Sequence, residues 1–350
     1  MAVDLSSVLA AIAANPMLGV IVVLCIGATM VNGATDAPNA IATVVGTRAM
    51  PAGRAIAMAA ICNFIGLVGI TAISTAVAGT IFGMVDFGGD NHAALVALAA
   101  AMVAIIVWGV AAWALGIPTS QSHSLIAGIT GAAIALQGGL GGINADQWIK
   151  VIYGLVISTV LGFGTGWLFV RLIKKACAGF DRAGTTRFFK WAQIVAGAGV
   201  AVLHGAQDGQ KFMSIALLGI ALSFGNTEPS ADGFPLWLMI ICSLAISAGT
   251  AIGGKRIIKN VAMDMVSLSK YQGASANIST VTTLLVSSLT GMPVSTSHCS
   301  TSAIMGVGAA KNPKNVNWST AKSMVFAWIL TFPCCGLIGF VLSKIFIMLF

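Results

Sequence analysis

Two carboxylates stand where carboxylates are costly. Asp36 and Asp208 each lie inside a long apolar stretch, while the other eight of the ten acidic residues fall in loops, tails or segment ends. An ionisable group at the centre of a spanning helix costs about 2.5–3.5 kcal/mol, so it faces a cavity or a partner and marks a functional position. The two are also copies of one another. NGATDAPNA at 32–40 is answered by HGAQDGQKF at 204–212, an offset of 204 − 32 = 172, and GIPTSQSH at 116–123 by GMPVSTSH at 291–298, an offset of 291 − 116 = 175. Two motifs recurring in the same order at nearly one offset identify an internal duplication.

Both carboxylates sit in sequence that resists continuous helix. Gly33, Thr35, Pro38 and Asn39 surround Asp36, and Gly205, Gln207, Gly209 and Gln210 surround Asp208, so both segments are expected to break there. A break at membrane depth frees N–H groups that attract anions and carbonyls that, with carboxylates, hold cations. One site can then hold both charges. The second motif pair supplies donors: in Pro118-Thr119-Ser120-Gln121-Ser122-His123 and Pro293-Val294-Ser295-Thr296-Ser297-His298, proline precedes hydroxyl and amide groups that open an apolar helix. That is the chemistry of a helix N-terminus, and an oxyanion suits it better than a cation.

Lys211, three residues after Asp208, is a base at the middle of an apolar segment. It has two readings, a local ion pair with Asp208 or direct attraction of the anion. His123 and His298 close the hairpin motifs, where capping or hydrogen bonding is the first reading and a proton relay the second; His204 is similar. Asn63 and Asn277, also within apolar runs, either line a path or tie helices together.

The elements that must position these groups follow from composition. Of 350 residues, 57% are hydrophobic and 8% charged, against about 25% charged in an average soluble domain, and the mean hydropathy is +0.95. Ten apolar stretches long enough to be helices lie near 17–47, 54–81, 92–116, 118–138, 149–173, 190–224, 235–258, 274–291, 293–310 and 321–350. They lack the alternation and the 9–11-residue length of barrel strands. The expected fold is therefore an all-α integral membrane protein. The N-terminal stretch carries Asp4 and no Lys or Arg, unlike a cleaved signal peptide, and is read as part of the mature chain. The seven cysteines have no metal-ligand spacing and read as small buried hydrophobes.

The net charge of +8 resides between the apolar segments and is assigned to orientation, not to nucleic acid. Arg48 and Arg54 mark the first loop as cytoplasmic, as do Arg171, Lys174, Lys175, Arg182, Arg187 and Lys190 the central one. The loops holding Asp86 and Asp90, and Glu228 and Asp232, contain no base, whereas Lys255–Lys270 contains four, and Lys311, Lys314 and Lys322 flank the last connection. This pattern predicts a multi-pass inner (plasma) membrane protein with both termini outside. The boundaries are a first repeat at 1–175, a basic cytoplasmic connection at 176–190 and a second repeat at 191–350. Each half has five stretches, an odd number, so the second copy enters from the opposite face; if the stretches flanking each Pro-led tip form a re-entrant hairpin, three crossings remain and the inversion stands. Inverted repeats with a site at their interface are a recurrent plan of secondary transporters.

With these motifs the sequence resembles the inorganic phosphate transporter (PiT) family. The family signature, Gly-Ala-Asn-Asp followed two residues later by Asn-Ala, looks like Gly33 to Ala40; its second copy looks like His204 to Lys211. The stretch from Gly249 to Arg256 and both Pro-x-Ser-x-Ser-His runs also match, so the resemblance covers nearly the whole chain. It implies a sodium- or proton-coupled phosphate symporter working as a membrane-embedded homodimer, with no further cofactor. The implied substrate site comprises Thr35, Asp36, Asn39, Gln207, Asp208, Gln210 and Lys211 of the signature helices, with Thr119, Ser120, Ser122, Ser295, Thr296 and Ser297 of the tips. Asp36, Asn39 and Asp208 would hold the cation, and Asn63, His123, Asn277 and His298 would line the path. Thr35 and Gln207 replace the family's first signature Asn, each keeping a side-chain oxygen and a donor. Asn63 and Asn277 stand where some members carry glutamate, which bears on the coupling ions.

The expected mechanism is alternating access, with cation binding offsetting the repulsion between carboxylates and anion. Sulfate is the rival cargo, since some relatives carry it. Phosphate keeps a proton at neutral pH and can donate to a carboxylate, and sulfate cannot, so the two aspartates favour phosphate. A passive channel, with its rings of one charge or carbonyl pattern, fits the mixed-charge pair less well. No Walker loop, dinucleotide fingerprint or nucleophile–base set is present, and no enzymatic activity is expected.

Overall fold

The computed structural model describes residues 4–88, 90–115, 117, 119–225, 234–262 and 266–350, without the side chains of 254–262 and 315. Pro118, the loop acids Glu228 and Asp232, and the side chains of Lys255, Arg256 and Lys259 lie outside the described residues.

Every apolar stretch is helical, and two are split. The helices are α1 (Leu5–Ala14), α2 (Pro16–Thr35), α3 (Pro38–Gly46), α4 (Ala52–Ile73), α5 (Ala76–Phe82), α6 (Asn91–Leu115) and α7 (Gln121–Gln137). After a 3₁₀ turn follow α8 (Ala145–Ala176), α9 (Arg182–Ser223), α10 (Leu236–Ala262), α11 (Lys270–Leu289), α12 (Thr296–Lys311) and α13 (Trp318–Leu349). The described residues contain no strand, only an isolated bridge between Val85 and Ile143. Local chemistry fixes several starts. Asn15 accepts from the Met17 N–H (3.1 Å) ahead of Pro16, Asp181 accepts from Gly184 (2.7 Å), and Ser295 from His298 (3.2 Å).

Six helical spans among the described residues are long and apolar enough to cross a membrane: Pro16–Gly46, Ala52–Thr71, Asn91–Leu115, Ala145–Ala176, Leu236–Gly253 and Trp318–Leu349. The molecule is thus a multi-pass membrane protein. The tip-led helices differ. At 17 and 16 residues, α7 and α12 reach about 26 and 24 Å at about 1.5 Å per residue, short of a hydrocarbon core about 30 Å thick.

One expectation fails. The first signature breaks between α2 and α3, at Asp36–Ala37, but the second does not: α9 runs unbroken through His204–Lys211 for 42 residues. The reason is the residue two positions after each aspartate. Pro38 has no N–H and cannot continue the ladder, whereas its counterpart Gln210 can. The glycines of the second copy serve packing instead, since a Cβ on Gly205 would overlap the Asn63 backbone of α4. The basic stretch at the chain's midpoint is also helical from Arg182 onward.

The helices pack in matched pairs, some across the midpoint and some within each half. α2 lies on α10 and α9 on α4; α7 lies on α13 and α12 on α8; α6 lies on α2 and α11 on α9. Exchanging the halves turns each pair into the other. The largest apolar core gathers Ile21, Leu98, Met102, Leu125 and Phe212 from α2, α6, α7 and α9.

Candidate functional site

The two tips meet. Ser295 Oγ donates to Ser120 Oγ at 2.8 Å, joining positions related by the 295 − 120 = 175 offset, and both residues are fully buried. Beneath this junction lie both signature carboxylates. Asp36 caps α2 at the break, and its Oδ2 accepts the Gln121 N–H at the start of α7 (3.0 Å). Asn39, the second residue of α3, donates through Nδ2 to Ser297 of the other tip (2.8 Å). The break in the first half thus reaches both tips.

Asp208 is surrounded by donors. Its Oδ1 accepts from Lys211 Nζ (2.7 Å) and Ser122 (3.2 Å), and its Oδ2 accepts from Asn32 Nδ2 (3.1 Å) and Thr296 (3.1 Å). His204 Nε2 stands 3.3 Å from Oδ2 without hydrogen-bond alignment. Lys211, fully buried, also donates to Ser122 (2.8 Å) and to the Val294 carbonyl, so one ammonium links α9 to both tips. Of its two readings, the ion pair is the one realised here.

Asp36 has no such shell. Its Oδ1 is buried without a hydrogen-bond partner among the described residues, as are Oδ1 of Asn32 and Oδ1 of Asn39. Matching positions therefore have opposite electrostatics. Asp208 is neutralised by a lysine, and Asp36 offers an unneutralised carboxylate with amide oxygens at the same helix break.

The remaining expected residues divide. Thr35 and Thr119 line a small cavity with Asn39, Ser297 and Trp328, which leaves about 10 Å³ for the centre of a water-sized sphere, roughly enough for one water. The Thr35 hydroxyl itself donates back to the Val31 carbonyl (3.0 Å). Gln207 and Gln210 bond to Ser288 Oγ (2.9 Å) and the Ser74 carbonyl (2.8 Å), not to the carboxylates. Asn63 ties His204 (3.0 Å) to Thr250 (2.9 Å), and Asn277 ties Thr43 (2.6 Å) to the Gln193 carbonyl (3.2 Å). Both asparagines are interhelical ties. His123 and His298 stand edge to face at 4.3 Å, with His298 stacked on Trp328 at 3.7 Å and His123 Nδ1 3.3 Å from the Trp328 carbonyl.

Sequence reasoning passed over two contributors, Asn32 and the Gln121 backbone. The repeat offsets held the signal for both. Asn32 is the counterpart of His204 (32 + 172), and both approach Asp208 Oδ2; Gln121 is the counterpart of Thr296 (121 + 175).

Residues 32–339 match the model of the phosphate transporter family. A Bacillus subtilis protein named "Probable low-affinity inorganic phosphate transporter" is 35% identical over 335 residues, covering 94% of this chain and 98% of its own. A protein of the same name from Mycobacterium tuberculosis (H37Rv) is 36% identical over 324 residues, covering 92% of this chain and 76% of its own. The fold matches a solved structure described as "The sodium-dependent phosphate transporter", with a TM-score of 0.85 at 22% identity, over 96% of this chain and all (100%) of that one.

Proposed function

Because the chain belongs to the phosphate transporter family, we propose that it imports inorganic phosphate by cation symport through alternating access. The observation that carries this reading is the unlike pair of aspartates beneath the joined tips. The cation binds at the α2–α3 break, where Asp36 Oδ1 and the amide oxygens of Asn32 and Asn39 lack partners. Carboxylates and amide oxygens suit a hard cation. Phosphate binds between the two tips, with Ser120, Ser122, Ser295, Thr296 and Ser297 as donors and Lys211 as the fixed positive charge. The small cavity at Thr35 and Thr119 is far too tight for phosphate, so the tips separate to admit it.

Three further features belong to the same proposal. The matched exchange of helix pairs supports a two-fold relation between the halves 1–175 and 191–350, and the short α7 and α12 support re-entrant hairpins α6–α7 and α11–α12. Loop charges support an inner-membrane chain with both termini outside. Sodium is the favoured cation, since the solved transporter with this fold is described as sodium-dependent; assembly is as a homodimer.

The test is uptake into proteoliposomes of labelled phosphate and, separately, sulfate, under an imposed sodium or proton gradient. Phosphate accumulation driven by sodium, and its loss to background in Asp36→Asn, are expected. Sulfate uptake without phosphate uptake sinks the cargo. Accumulation in Asp36→Asn equal to wild type removes that residue from coupling.

A further inference from the structure

Away from the carboxylates, a cavity lined by basic residues lies where the ends of several helices meet. It has a volume of about 520 Å³ and is walled by the ends of α3, α8, α9 and α11, a size typical of small-molecule sites. Lys174, Arg182 and Lys270, from three different helices, stand around it, and Ile173, Phe180 and Phe189 give it apolar walls. No acidic residue lines it among the described residues; Asp181, adjacent in sequence, is occupied in capping Gly184 at 2.7 Å. The ion pairs among the described residues all involve Asp208, so these three cations have no carboxylate partner there.

Its depth is set by its neighbours. Arg171 lies over the Trp167 ring at 3.7 Å and Lys190 near the Trp191 ring at 5.7 Å, flanking the cavity on α8 and α9. Phe180 is 73% exposed, and Phe188 and Trp191 on α9 are exposed as well. Aromatic rings paired with basic side chains at helix ends mark the headgroup level of a bilayer. A cavity there with a cationic rim and a greasy wall is complementary to a phosphodiester attached to acyl chains, and basic pockets between membrane helices bind such headgroups.

The geometry points to an anionic-phospholipid site in this cavity, with the phosphodiester on Lys174, Arg182 and Lys270 and an acyl chain along Ile173, Phe180 and Phe189. The assignment stands apart from the transport reading, because it concerns a different set of residues and a binding readout.

The full chain, purified and delipidated, is titrated with phosphatidylglycerol, phosphatidylcholine or inorganic phosphate, and bound lipid is read by native mass spectrometry. Phosphatidylglycerol is expected to be retained over phosphatidylcholine. Each cation removed should weaken retention about fivefold, and the triple variant Lys174→Gln/Arg182→Gln/Lys270→Gln about a hundredfold. Lys174→Arg/Lys270→Arg should retain the lipid. A second readout needs no variant: Cys177 lines the cavity and is half-buried, so its alkylation by a maleimide, followed by peptide mapping, should slow in phosphatidylglycerol vesicles relative to phosphatidylcholine vesicles. Equal retention of both lipids overturns the assignment, as does unchanged retention in the triple variant. Equal Cys177 rates in the two vesicles overturn it even if that variant fails to fold. Protection of Cys177 by inorganic phosphate alone assigns the cavity to a free anion and overturns the lipid.

Discussion

Asp36 and Asp208 occupy one position of a repeated motif, and the difference between them lies in Lys211, three residues after Asp208 where the first copy has Asn39, and in partners 85 to 176 residues away. Asp208 holds Lys211, Ser122, Asn32 and Thr296 together, so its charge is fixed by structure. Removing one member of a buried ion pair strands the other charge and costs about 3–5 kcal/mol, whereas removing both costs far less. Lys211→Met should therefore lower the thermal unfolding midpoint sharply in detergent, and Asp208→Asn/Lys211→Met should recover most of it. Neither variant is expected to accumulate phosphate. A Lys211→Met protein as stable as wild type means that the pair does not hold the seam. What the sequence offered at this scale was the pair of intramembrane acids and a spacing that lets Lys211 pair with Asp208; the rest of the Asp208 shell needed the tips to be placed, because Ser122 and Thr296 come from two other helices in opposite halves of the chain.

At the scale of elements, one proline separates two outcomes of a duplicated sequence. The α2–α3 break at Asp36 depends on Pro38, and α9 shows what the same segment does with Gln210 in that place. An interior proline disfavours helix by about 3 kcal/mol, so Pro38→Ala should let α2 and α3 join. The expected outcome is equal or higher thermal stability with reduced phosphate uptake, the break being spent on function. Unchanged uptake disconnects the break from transport. The glycines carry a second lesson. Glycine in a helix reads as a weak point, and both signatures contain it, but Gly205 is where α9 touches the Asn63 backbone while Gly164 on α8 faces open space. Gly→Ala in a helix gains about 1 kcal/mol where nothing opposes it, and overpacking costs about 1–3 kcal/mol. Gly164→Ala should raise the unfolding midpoint and Gly205→Ala should lower it; shifts of the same sign sink the packing account. Helix content was legible from hydropathy and length. Which helical glycines admit a neighbour was not, because that depends on the helix alongside.

For the whole molecule, the sequence repeat becomes a pattern of exchanged partners, with α7 on α13 and α12 on α8, and with Ser120 touching Ser295 where the halves meet. A rocking mechanism makes a specific demand on that contact. The site is closed, the adjoining cavity leaves about 10 Å³ for a water-sized sphere, and so the tips must part for cargo to enter or leave. Two cysteines at these positions test the demand, since hydroxyls at 2.8 Å lie near the spacing a disulfide needs after small adjustment. In Ser120→Cys/Ser295→Cys, with the partly exposed native Cys62, Cys177 and Cys334 changed to serine, oxidation should stop both net uptake and exchange of labelled for unlabelled phosphate. Reduction should restore them, and each single cysteine variant should be indifferent to oxidant. Full exchange with the tips covalently joined rules out a mechanism in which the halves separate at this seam, leaving only motions that keep Ser120 and Ser295 together.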